Sequence, residues 1–349
     1  MARRSPVSQF ASLAIIAIVV AAIAAAFAYT AGWLSPDRLS SAKLVAAFAP
    51  PGGPALGHRR NHAKGICFTG EFDANGKGTE LSKAQVFVQG KYPVVGRFNF
   101  STTDPNAPDA TSRVRGMGLQ ISTPDGEVWR SAMIDPPFFP VATPEAFYAL
   151  LQASGSKDPD AMKNFAAAHP ELAAFGAWAG SAPFMSSYAE EPYNSLNAFL
   201  FVDSAGQEHA VRWSLKPQAQ PQPMAPDAFA KLGPDHLEQE IAERVGKGPQ
   251  SWTMVLQVAN PGDPTADPSK AWPDDRRQVD VGTLVVQQVE AERNGPCRDI
   301  NFDPTILPNG IKVSDDPFPA ARSAAYAKSF DARLAEEKSY PRGDQGAQP

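Results

Sequence analysis

The chain has 349 residues and a formal net charge of −5, with 43% hydrophobic and 20% charged residues. That balance suits one large globular domain or two of common size, and no run of Lys and Arg is long enough to neutralise a row of phosphates, which excludes nucleic acid as a partner. Two cysteines, Cys67 and Cys297, exclude a multi-bridge disulfide framework and any Cys/His zinc spacing. Whether they pair or are two small buried residues is left open by the spacing.

Phe10 to Leu34 is one apolar stretch, with no charge between Arg4 and Asp37. At about 1.5 Å per residue it is long enough to cross a hydrocarbon core of about 30 Å. Arg3 and Arg4 assign residues 1–9 to the cytoplasm, and Tyr29 and Trp33 to the opposite interface. The expectation is a single-pass inner-membrane protein with its main domain on the periplasmic side. A cleaved signal peptide is the alternative, with Ala22 to Ala26 offering a small-residue cleavage site and a soluble periplasmic product.

Residues 35–57, rich in Pro, Gly and Ala, read as a linker. Beyond them, strands are expected at 84–89, 94–103, 116–122, 197–203, 209–216, 252–258 and 279–290. Asp203-Ser-Ala-Gly-Gln207 marks a hairpin. Helices are expected from Pro144 to Ser154, with Thr143 as cap, over 158–168, 170–178 and 226–246, and from Asp316-Pro317 toward Glu337. Antiparallel strands interrupted and followed by helices give an α+β domain built round a sheet or barrel, spanning 58–338, with a disordered tail over 339–349.

Two places could carry chemistry. His62 lies in His58-Arg-Arg-Asn-His-Ala-Lys-Gly65, ahead of the apolar Ile66-Cys-Phe68. Arg322-Ser-Ala-Ala-Tyr326 sets a guanidinium and a phenol four apart on one helix face. A positive charge beside a phenol oxygen favours its ionised form, and a phenolate is a ligand for ferric iron. Each signal alone is weak: a lone histidine is usually a surface or capping group, and an Arg-xxx-Tyr pair is usually a surface cation beside a core ring.

The segments gain force from their order. Arg59-Arg-Asn-His62-Ala-Lys-Gly65, Val95-Gly-Arg97-Phe98, Arg115-Gly-Met-Gly-Leu119, Pro136-Pro-Phe-Phe139, and Phe302-Asp-Pro304 through Pro308-Asn-Gly310 to Arg322-Ser-Ala-Ala-Tyr326 together resemble the catalase family, over roughly residues 58–335. The resemblance implies an antiparallel β-barrel with surrounding helices and a haem b cofactor whose iron is held by Tyr326, since tyrosine is the catalase axial ligand. It further implies His62 as the distal acid–base residue, oriented by Asn99 or Ser101. Arg59, Arg97 and Arg333 would meet the haem propionates, Arg322 would support Tyr326, and Phe138 and Phe139 would wall the pocket.

The chain has no room for the wrapping segment and additional C-terminal helices of full-size catalases, and so is similar to the small catalase-related peroxidases. Alignment through Phe138-Phe139 puts Met133 where the family carries a distal asparagine, and a thioether cannot donate its hydrogen bond. The implied function is a peroxidase that reduces hydrogen peroxide or organic peroxides with a small-molecule electron donor, and has weak catalase activity. Two alternatives stand beside it: a haem enzyme that rearranges fatty acid hydroperoxides, and a non-catalytic, membrane-tethered haem-binding protein. A homodimer is among the oligomeric states left open.

Overall fold

The computed structural model describes residues 6–30 and 38–343. Arg3, Arg4, Trp33 and the tail from residue 344 lie outside the described residues. Helix α1, Pro6–Thr30, is apolar on every side. Its stretch Phe10–Thr30 is not buried among the described residues. Part of the segment expected to be linker is helical instead. Ser40 caps α2, Ser41–Ala47, by accepting a hydrogen bond from the Lys43 amide. Leu44 of α2 is buried, and an apolar spacing of Leu44, Val45 and Phe48 explains why this turn packs on the domain.

The domain is organised by strands β1 (Gly65–Ala74), β2 (Gly90–Phe100), β3 (Arg115–Ser122), β4 (Val128–Ile134), β5 (Phe184–Met185), β6 (Tyr193–Asn194), β7 (Phe199–Val202), β8 (Glu208–Pro217), β9 (Pro223–Met224), β10 (Gln250–Val258), β11 (Gln278–Ala291) and β12 (Ile311–Val313). Neighbours run β10-β11-β1-β2-β3-β4-β6-β8, and β8 pairs with β10 to close the ring. All the pairs are antiparallel. Closure removes the open edges that a sheet of this size would otherwise expose. β7 and β12 extend outward from β8, and β5 and β9 form a separate ribbon.

Side chains alternate across each strand, so parity decides which residues fill the barrel. Phe98, Met117 and Met133 are in register on β2, β3 and β4 and point inward. They join Phe68, Trp213, Trp252 and Leu284 in one apolar core. The neighbouring rows, Arg97–Gly118–Ala132 and Asn99–Gly116–Ile134, therefore face outward. This outward face of β2 to β4 is one wall of the candidate site.

Helices α3 (Pro144–Ser154), α4 (Ala161–Ala168), α5 (Leu172–Ser181), α6 (Pro226–Phe229), α7 (His236–Lys247) and α8 (Phe318–Ala335) lie round the barrel. Thr143 caps α3 as its sequence suggests. Two expectations fail for clear reasons. Residues 84–89 are no strand but contain a 3-10 turn at Gln85–Phe87: the Tyr92 hydroxyl donates to the Gln85 and Val88 carbonyls, and Phe87 is buried against Trp129 and Phe201. The helix expected over 226–246 breaks at Gly233, whose φ of +107° no helix accommodates, and Pro234 follows it. Strands β1 and β4 were not anticipated at all.

Candidate functional site

A cavity of about 350 Å³ opens between the outer face of β2–β4, the loop before β1, and helices α2, α3, α5 and α8. Arg322, Tyr326, Ser329 and Arg333 of α8 all line it. Their spacing of four, three and four residues keeps them on one helix face. His62 and Asn99 line the same space, so residues far apart in the chain meet round one void.

The cavity has two unlike ends. Phe48, Phe139, Phe147, Phe175 and Phe318 line its apolar part. Phe139 packs on both Phe147 and Phe318, with ring centroids 5.1 and 4.9 Å apart. At the other end stand Arg59, Arg97 and Arg333. Burial lowers the pKa of Arg59, with repulsion from Arg97 adding to it. Burial and the Arg59 charge bring Arg333 down to about 9. Glu292 answers the cluster: Arg97 donates to both its carboxylate oxygens at 2.8 and 2.7 Å, and Arg59 to one at 3.2 Å. Burial alone would raise the Glu292 carboxyl, but the Arg97 and Arg59 charges outweigh it and hold it below its usual range.

His62 is held in an uncommon backbone conformation, φ +55°. Its Nδ1 is buried without a hydrogen-bond partner among the described residues. Its pKa is lowered to about 4, by burial first and then by the Arg97 charge, against a raising contribution from Asn99. The ring is therefore neutral at physiological pH. Tyr326 receives a hydrogen bond from Arg322 at 3.1 Å. Arg322 is itself fixed by the Asn197 side-chain oxygen and the Ala132 carbonyl, each at 2.7 Å. Asn197 in turn donates to Asp316 at 2.8 Å. Gly116 and Gly65 are small of necessity: a Cβ at Gly116 would lie 2.4 Å from Asn99 Oδ1, and one at Gly65 would lie 2.7 Å from Arg97 Cζ.

Of the residues expected at a site, the cavity brings together Arg59, His62, Arg97, Asn99, Ser101, Arg322, Tyr326 and Arg333. One expectation needs correction. Phe138 does not line the cavity; Phe139 does. The Phe139 amide donates to the Pro268 carbonyl, which anchors this turn with the second phenylalanine facing the cavity. Met133 packs in the barrel core with Met117 and Phe98 and also lines the cavity, where the alignment set it. Ile134, in register with Gly116 and Asn99, lines it beside Met133. Sequence reasoning also missed Glu292, Asn197 and the α2 wall. Only α2 left a local signal, the Ser40 cap ahead of Leu44, Val45 and Phe48.

Cys67 and Cys297 form a disulfide with Cα atoms 5.4 Å apart. It ties β1 to the turn whose Cys297, Arg298 and Ile300 carbonyls accept hydrogen bonds from Arg59.

The comparisons agree with this architecture. The Catalase family model matches residues 53–340. A catalase-related peroxidase of Synechococcus elongatus is 34% identical over 332 residues, 93% of this chain and 96% of its own. One of Mycolicibacterium paratuberculosis is 31% identical, covering 88% of this chain and 97% of its own. Among solved structures, catalase A from Saccharomyces cerevisiae superposes with a TM-score of 0.72 at 19% identity, over 82% of this chain and 62% of that one. The closed barrel and its helices thus have the catalase-like fold. The family match makes this a peroxide-acting oxidoreductase with a haem cofactor. The chain belongs to the catalase family.

Proposed function

We propose that the protein is a peroxidase, reducing hydrogen peroxide or organic peroxides at the expense of a small electron donor, with little dismutation of hydrogen peroxide. The observation that carries this reading is the meeting of His62 and Tyr326 on one cavity with three arginines at one end and aromatic rings at the other.

The residues fit haem. A flat apolar macrocycle with carboxylates on one edge calls for aromatic walls and a cationic rim. Arg59, Arg97 and Arg333 against Glu292 leave two positive charges in the cluster, matching two propionates. The buried, unpartnered Nδ1 of His62 is a polar atom awaiting a partner inside the cavity. Both cysteines are joined to each other, so neither tethers a vinyl group, which favours non-covalent haem b. Tyr326 would hold the iron and Arg322 its oxygen. When bound, the haem supplies the redox chemistry of O–O cleavage.

The chain's own part is positioning and proton movement. Neutral His62 accepts the proton of an incoming peroxide and returns it to the departing oxygen. Asn99, beside it, orients the ring. Ile134 and the aromatic wall offer a second peroxide no hydrogen-bond donor, so the electrons come from a reductant instead. The test is turnover of hydrogen peroxide alone and with an added electron donor. Donor oxidation without oxygen release is expected, and rapid oxygen release without a donor would overturn the reading.

The aromatic part of the cavity also favours apolar peroxides, which gives the rearrangement of fatty acid hydroperoxides some support. Recovery of an epoxide alcohol, not a simple alcohol, from a lipid hydroperoxide would establish that second reading. For location, we infer an exported domain: an apolar leading helix suits an anchor or a signal sequence, and the disulfide suits an oxidising compartment.

A further inference from the structure

We propose that Glu292 is the positioning residue for His62, acting through Arg97. The inference rests on the peroxidase reading above, but the contacts that carry it are independent of that reading. A non-glycine residue at φ +55° persists only where its surroundings over-determine it, because a side chain is strained in the left-handed region. Four hydrogen bonds do so here. The His62 amide donates to Asn61 Oδ1 at 2.9 Å, and the Ala63 amide to the Thr102 carbonyl at 2.9 Å. Arg97 grips the other side, donating from Nη1 to the His62 carbonyl at 2.9 Å and from Nη2 to the Ala63 carbonyl at 3.3 Å.

Arg97 is 1% exposed and can do this only if its guanidinium plane is fixed. Glu292 fixes it, taking Nε and Nη2 in a two-point contact at 2.8 and 2.7 Å. A fork-on-carboxylate pair sets orientation as well as charge. Gly65 leaves the space in which the guanidinium lies. Of the three arginines in the cluster, Arg97 is thus the most fully engaged by protein groups. Arg59 and Arg333 keep more of their donors for a cofactor carboxylate. All three arginines line the cavity, and Glu292 commits one of them, Arg97, to holding His62.

The experiment uses the full-length holoprotein and the variants Glu292→Gln, which keeps size and loses charge, and Glu292→Asp, which keeps charge on a shorter stem. Glu292→Gln is expected to retain haem to within twofold of wild type. Its second-order rate with hydrogen peroxide and its rate of cyanide association, both of which need a base to take a proton, fall together at least tenfold. Hydrogen exchange in the segment 59–65 rises with no change in β10 or α7. Glu292→Asp recovers part of both rates, a rescue that a merely structural acid would not give in parallel. Should Glu292→Gln fail to fold, Arg97→Lys, which cannot make the two-point contact, is expected to show the same coupled losses. Wild-type rates in Glu292→Gln, or loss of haem with a normal rate in the fraction that retains it, would overturn the proposal. A wild-type protein that takes up no haem would overturn the peroxidase reading instead.

Discussion

Acidification should expose the burial of His62 in the folding equilibrium. Its pKa falls from the ordinary 6.5 to about 4 in the folded chain. The unfolded chain therefore binds the proton first, and stability is lost as pH drops through 6.5, levelling off below about 4. Linkage puts the loss at about 2 kcal/mol by pH 5 and about 3 kcal/mol by pH 4, relative to pH 7.5. Other groups titrate over the same window, so the informative quantity is a difference. Urea unfolding of the haem-free full-length chain in detergent, wild type against His62→Gln, should show wild type losing about 2 kcal/mol more than the variant between pH 7.5 and pH 5. Parallel pH dependence in the two proteins would refute the claim that a buried, neutral imidazole faces the cavity.

Strand parity makes a second prediction. Met133→Asn buries an amide without a partner in the barrel core and should cost about 3–6 kcal/mol, read as a collapse of the melting temperature. Ile134→Asn should cost less than about 2 kcal/mol and raise oxygen release from hydrogen peroxide, because it adds a donor on the pocket face. The reverse pattern would make Met133, and not Ile134, the residue that decides oxygen release. For the disulfide, the two cysteines are 230 residues apart in sequence, and the chain-entropy picture gives about 5 kcal/mol for such a loop. Reduction, or Cys67→Ser with Cys297→Ser, should lower the melting temperature by on the order of 10 °C. An unchanged melting temperature after reduction would mean the bridge contributes nothing.

The residues that meet at the cavity were legible because each lies in a short segment of distinctive composition, and the segments fall in one order. Orientation was harder to read. A one-residue shift flips a strand residue from one face to the other, so segment order alone could not show that Ile134 lines the cavity beside Met133, nor that of Phe138 and Phe139 only the second lines it. Glu292 was invisible for a different reason. It follows β11 in Ala291-Glu-Arg-Asn-Gly295, a polar run that reads as a solvated turn, and only the fold brings it against Arg59 and Arg97. The helix over 41–47 was lost among prolines and alanines, since its partners on α3 and α8 are remote in sequence. The 84–89 segment had strand composition, but its apolar residues serve a buried turn.

The central claim is that Tyr326 and His62 face one haem. The most direct measurement is the absorption spectrum of the purified full-length protein beside Tyr326→Phe and His62→Ala. A tyrosinate-ligated ferric spectrum in wild type, lost in Tyr326→Phe but kept in His62→Ala with its response to cyanide slowed, is the predicted result. An unaltered spectrum in Tyr326→Phe would contradict it.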